Sequence, residues 1–224
     1  MERKTYCDEL AWIQKSTVEM AEKTVQAVKL AAQALTTGDL SAANQARQLE
    51  KEVDELYLKI DERCVTTIAT QQPMAGDLRF LVASIRIATE VERIADYANN
   101  IAKMVIKKFS LQDMSPLVSL QPTVSLMAEE SAMMLSEAML GYQDNNADLA
   151  ALVHKRDAMV NRLNRDLFKG LLAIMAQTSS DINETAMDFH VAVCYLERVA
   201  DRATNVAEWA YYRSTGYRFP DTKK

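Results

Sequence analysis

Glu92, Asp96 and Asn100 recur one helical turn apart in the stretch EVERIADYANNIAK, and Glu197, Asp201 and Asn205 recur at the same spacing in YLERVADRATNVAE. The two strings are offset by 105 residues (92 to 197), close to half of the 224-residue chain. Carboxylates and an amide at i, i+4 and i+8 of a helix form one stripe of hard oxygen donors, the type that suits Mg²⁺, Mn²⁺ or Ca²⁺. The plainer reading is a solvated helix face. Against it, Glu and Asp at i, i+4 repel each other, and solubility alone needs no such pairing. Duplication explains how the pattern arose. It does not explain why Glu, Asp and Asn stay while Tyr97 of one copy corresponds to Arg202 of the other.

These acids need rigid helices to hold them. The chain is rich in Ala, Leu, Met, Glu and Lys, with only 5 Gly, 4 Pro and 7% aromatic residues, a mix that favours helix over sheet. Apolar periodicity predicts helices over about 5–36, 40–70 and 77–109, then over a stretch ending near 142, over 147–176 and over 181–212. Gly38 and Asp39 read as a C-cap followed by an N-cap, and Pro73 and Gly76 break the next pair. The least helical stretch, SLQDMSPLVSLQPTV, holds Pro116 and Pro122 and predicts a boundary between units 1–113 and 114–224. Short loops within each half make neighbouring helices antiparallel. The expected fold is all-α: six long helices in two tandem three-helix bundles, an internal duplication. A second block agrees, since LEKEVDELYLKI from Leu49 matches HKRDAMVNRLNRDL from His154 at an offset of 107 (53 to 160).

On a helical wheel Ile87, Val91, Ile94, Ala95, Ala98 and Ile101 gather on one side, and Glu92, Asp96 and Asn100 lie roughly opposite. The last helix repeats the arrangement, and Glu208 extends its outer stripe. Glu50 and Asp54 at i, i+4 on the second helix, and Asp157 and Asn161 on the fifth, offer further oxygens to the same stripes. Net charge is −5, which leaves no basic footprint for nucleic acid and room for cations or a basic partner surface. Cys7, Cys64 and Cys194 are scattered and odd in number, against a disulfide framework or a thiolate zinc site, and consistent with a reducing cytoplasm. No stretch is long and apolar enough to predict a membrane span, and the first residues lack the apolar core of a signal peptide.

The strings DLRFLVASIRIATEVERIADYANNIAK and YLERVADRATNVAEWAYY resemble the two signature helices of the PhoU family of phosphate-uptake regulators. The family pattern is a Glu/Asp-x-x-x-Asp motif inside a run like E-R-I-G-D-H-x-x-N-I-A, once per half, and the likeness extends over the whole chain. The resemblance implies metal bound at the carboxylate stripes, with Glu50, Asp54, Glu92, Asp96, Asn100, Asp157, Glu197, Asp201, Asn205 and Glu208 as its candidate ligands and Mg, Mn, Fe or Zn as the divalent ion. It implies a negative regulator of phosphate uptake and phosphate-starvation signalling. Such a regulator acts as an adaptor between the ATPase subunit of a phosphate ABC transporter and a phosphate-sensing histidine kinase. It implies a homodimer in the cytoplasm, peripheral at the inner membrane face through its partners. There are departures. Ala95 and Ala200 replace the family's Gly, Tyr97 and Arg202 replace its His, Lys103 stands where Glu is usual, and Asn161 stands where an acid would match Asp54. With ligands lost in each half, a weak Mg²⁺ or Mn²⁺ site is expected over a tight transition-metal cluster.

Two other readings stay open. A metal-independent helical module would bind a basic partner directly through Glu92, Asp96, Glu197 and Asp201, and a regulator of this type could serve a different transporter or kinase. An enzyme is not expected. Neither His154 nor His190 has Glu three residues before it, and no GxxxxGK[ST], GxSxG or HExxH occurs. The aromatic tail WAYYRSTGYRF reads either as packing on the bundle end or as a partner contact.

Overall fold

Gly38 and Asp39 turn the chain for the first time. Gly38 takes φ +72°, in the left-handed region, and ends helix α1 (Glu2–Thr37). Asp39 then caps α2 (Leu40–Gln71), accepting from the backbone N–H groups of Ser41 and Ala42 at 2.8 and 3.1 Å. The computed structural model describes residues 2–177 and 181–220. The remaining helices are α3 (Ala75–Met104), α4 (Gln121–Gln143), α5 (Asp148–Gln177) and α6 (Asp181–Thr215). Among the described residues there is no strand.

The predicted boundaries hold to within a few residues, with one physical correction. The proline-rich connection is itself mostly helical. α3 loosens into a π-turn, Val105–Phe109, and a 3-10 turn, Ser115–Leu120, runs directly into α4. Pro116 and Pro122 stand second in the 3-10 turn and in α4, within the first turn, where a missing N–H costs nothing, so both prolines sit at helix starts here instead of breaking helices. α3 also begins at Ala75, two residues before the expected Asp77.

The helices form two layers. α2, α3, α6 and α5 lie side by side in that order, with α1 over the first pair and α4 over the second. α3 and α6 are in the centre and run antiparallel: Arg86 lies near Trp209, Glu90 meets Arg202 and Asn205, and Tyr97 stacks on Tyr195 at 5.7 Å. α1 and α4 close the second layer. One apolar core runs through both halves, including Ile13, Met20, Ile94, Ile101, Met127 and Val199. The Ala residues of the central pair, Ala95, Ala98, Ala102, Ala200, Ala203 and Ala207, are all buried, which lets the helix axes approach closely. Several polar groups in this core find partners within it. Thr17 and Thr24 donate to the carbonyls of Ile13 and Met20 one turn back, and the Tyr142 and Ser84 hydroxyls share a bond of 2.6 Å.

Ile94 is fully buried on α3. Ile94→Ala should therefore lower unfolding free energy by about 2–5 kcal/mol. Urea denaturation followed by circular dichroism checks it, and a loss below ~1 kcal/mol would contradict a tightly packed central pair.

Candidate functional site: two carboxylate seams

The repeated stripes are only partly outward: Asp96, Asp201 and Glu208 are exposed, whereas Glu92 and Glu197 are half-buried at the edge of a neighbouring helix. α2 packs along α3, so Glu50 and Asp54 of α2 meet Glu92 and Asp96 of α3 in a half-buried seam. The four carboxylates feel one another. Burial raises the pKa of Glu92 first, and the charges of Asp96, Asp54 and Glu50 raise it further. Glu50 is pushed up by burial and then by Asp54 and Asp96, and Asp54 by burial and then by Asp96. Two cations oppose this: Lys103 draws Glu50 down and Arg93 draws Glu92 down. Asp96 is exposed, and Asn100 is half-buried one turn further along.

Asn99, beside the predicted Asn100, is the polar group of this seam that the sequence reading missed. It is only 3% exposed and its Nδ2 donates to Glu50 Oε1, while its Oδ1 is buried with no hydrogen-bond partner. The available signal was an amide on the Ala-rich core face of α3, a position that Thr204 occupies in the second copy.

The second seam lies between α5 and α6 and is built from fewer acids. Glu197 is raised by burial, then by Asp201, and more weakly by Asp157 across the seam. Asn161 Nδ2 donates to Asp157 Oδ2 at 2.9 Å, so the amide at this position holds a carboxylate where the first seam has a second acid. The other predicted ligands turn elsewhere. Asn205 donates 3.2 Å to Glu90 Oε2 of α3, the same oxygen that Arg202 reaches at 3.2 Å. Glu208 lies 3.5 Å from His154 Nε2. The aromatic tail packs on the bundle: Phe219 stacks on His154 at 4.5 Å and meets Tyr211 edge-on at 5.2 Å, while Tyr217 stays exposed.

Among the described residues no group of three or more His, Cys, Asp or Glu is arranged to hold a metal ion. The donors are hard oxygens with mutual repulsion only partly offset, so their chemistry fits a divalent cation that keeps most of its own water, as Mg²⁺ does, rather than a closed protein shell.

Because the folded-state pKa of Glu92 lies above its ordinary value of 4.5, its charge destabilises the fold above that value, and the penalty fades as pH falls through it. Glu92→Gln should therefore stabilise the protein at neutral pH by about 0.2–0.5 kcal/mol, the size of a like-charge i, i+4 pair. The gain should shrink toward zero on acidification below pH 4.5. Chelator-treated protein in urea at neutral and acid pH makes the comparison, and a destabilised variant at neutral pH would contradict it.

The two seams fall within two matches to one family model. The PhoU domain matches residues 17–105 and again residues 124–210. The chain is 31% identical to the phosphate-specific transport system accessory protein PhoU homolog of Rhizobium meliloti, over 93% of this chain and 86% of that protein. It is 28% identical to the phosphate-specific transport system accessory protein PhoU of Escherichia coli, over 94% and 86%. The crystal structure of PhoU from Pseudomonas aeruginosa superposes with a TM-score of 0.83 at 26% identity, covering 95% of this chain and 100% of that one. PhoU from Streptococcus pneumoniae shares the fold, with a TM-score of 0.79 at 22% identity. With one copy of the domain around each acidic seam and relatives matched along nearly its full length, this chain belongs to the PhoU family.

Proposed function

We propose that this chain is a phosphate-transport accessory protein that restrains phosphate uptake and phosphate-starvation signalling. It does so as an adaptor between the ATPase subunit of a phosphate ABC transporter and a phosphate-sensing histidine kinase. The observation that carries the reading is the duplicated carboxylate seam, in a chain whose relatives are named accessory proteins of phosphate-specific transport. The protein works in the cytoplasm, reaches the inner membrane face through these partners, and pairs as a homodimer. Among the described residues no helix is long and apolar enough to cross a membrane.

A non-enzymatic role is in keeping with the Cys–His pairing found among the described residues. Cys194 Sγ lies 3.6 Å from His190 Nε2. Burial raises the thiol and depresses the imidazole, the reverse of a thiolate–imidazolium nucleophile. The seams bind a hydrated Mg²⁺ or Mn²⁺, the first seam more firmly because it holds four carboxylates against three. A metal-independent reading starts from the exposed acids of the two motifs, Asp96 and Asp201. In that reading the same acids contact Arg or Lys of a partner.

Deleting the gene should derepress phosphate-starvation genes during phosphate-rich growth. A copy carrying Glu92→Gln, Asp96→Asn, Glu197→Gln and Asp201→Asn should fail to restore repression. Unchanged expression in the deletion strain overturns the regulatory reading, and full rescue by the quadruple variant overturns the role of the seams. Partner binding that persists in chelator separates direct docking from a cation requirement.

A further inference from the structure

Where the N-terminus of α3 meets the C-terminus of α6, a cleft of about 490 Å³ holds two arginines, Arg79 and Arg213. Neither forms an ion pair among the described residues. Arg213 packs against a stacked pair of rings, with its guanidinium carbon 4.8 Å from the Phe80 centroid and 4.5 Å from that of Tyr142. One of its N–H groups donates to the Tyr142 carbonyl. Burial lowers its pKa with no carboxylate to offset the loss of water, yet an arginine stays charged. Arg79 leaves a buried Nε without a hydrogen-bond partner. The chain turns at Gly216, φ +78°, directly against the Arg79 guanidinium, where a Cβ would come within 3.7 Å of it.

The rest of the lining completes a pattern of donors. Asn145 lines the same space, and Gly76 brings the first, unbonded N–H groups of α3 to its edge. Gln14 and Ser214 already donate to the carbonyls of Gln143 and Asn145, so they frame the cleft. One carboxylate, Asp77, is also in the lining, and its Oδ2 accepts from the Tyr6 hydroxyl at 2.9 Å. Two guanidinium groups lining one cleft suit a tetrahedral oxyanion, whose oxygens accept paired N–H groups.

We propose that the cleft between Arg79 and Arg213 binds a phosphate-type oxyanion, either free inorganic phosphate or the phosphoryl group of a small metabolite. The site is separate from the carboxylate seams and goes beyond the regulatory reading, since it is measured on the purified protein with no transporter or kinase present.

The experiment titrates the full chain with sodium phosphate, or with AMP, through the millimolar range against sodium chloride at matched ionic strength. Thermal unfolding and ³¹P line broadening are the readouts. Arg79→Gln, Arg213→Lys and, as a control on exposed α5, Arg162→Gln are run in parallel. Arg213→Lys keeps the charge, so a folded variant with a broken fork is available even if loss of the stacked side chain is disruptive. The wild type and Arg162→Gln should show saturable stabilisation by phosphate, and Arg79→Gln and Arg213→Lys should weaken binding at least tenfold. Saturation by AMP but not by inorganic phosphate, with the same loss in both variants, supports the site with a metabolite as its source. No saturable binding of either probe, or binding unchanged in both arginine variants, overturns it.

Discussion

Close approach of α3 and α6 is the constraint on which the rest of the molecule depends. Both helices lie between neighbours on two sides, and their buried Ala residues let those neighbours pack closely. Glu90, Tyr97, Tyr195, Arg202 and Asn205 fill the line where the two helices meet, and the acids of the repeated motif fall on the flanks toward α2 and α5. There, half-buried carboxylates repel one another in a medium less screening than water. The seams follow from the packing: whatever keeps the central pair close also holds Glu50, Asp54, Glu92 and Asp96 together.

Charge is mixed along the central helices. α3 carries Asp77 and Arg79 at its start, Arg93 beside Glu92 and Asp96, and Lys103 near its end. The cations that temper the first seam thus come from the same helix as two of its acids. The acids sit on exposed or half-buried faces that solvent and ions reach, whereas Arg213 packs against two rings.

Much of this is legible in the chain itself. Apolar periodicity of 3.6 residues is strong over 30 positions at a time, and Gly38 with Asp39 marks a turn by backbone chemistry alone. The prolines are ambiguous for a physical reason: Pro at the first turn of a helix and Pro in a loop look identical until the hydrogen bonds are traced. The wheel separates a core side from a far side correctly. It has no information on which flank a neighbouring helix covers, so Glu92 and Glu197, expected to face outward, lie instead half-buried in seams. Asn205 is the clearest case. Its type and spacing match Asn100, yet it reaches across to Glu90 because α3 is adjacent to α6. Asn99 escapes for the converse reason, since nothing local distinguishes a buried amide with a distant carboxylate partner from an exposed one. The arginine cleft is assembled from three helices and a tail, which no window of sequence brings together.

The stack of Tyr97 on Tyr195 and the ion pair of Glu90 with Arg202 have one more meaning. At the repeat offset of 105 residues (92 to 197), Glu90 corresponds to Tyr195 and Tyr97 to Arg202. The two contacts are thus a single ancestral contact seen from either side of a pseudo-twofold axis. In a symmetric pair of identical halves, any substitution would strike both sides at once. Fusion into one chain removed that restriction, and one side became aromatic while the other became ionic. Each half now fits the other better than a copy of itself: two first halves would set Glu90 against Tyr97 twice, and two second halves would set Tyr195 against Arg202 twice. The divergence therefore disfavours pairing of like halves from separate chains, which would lose both contacts.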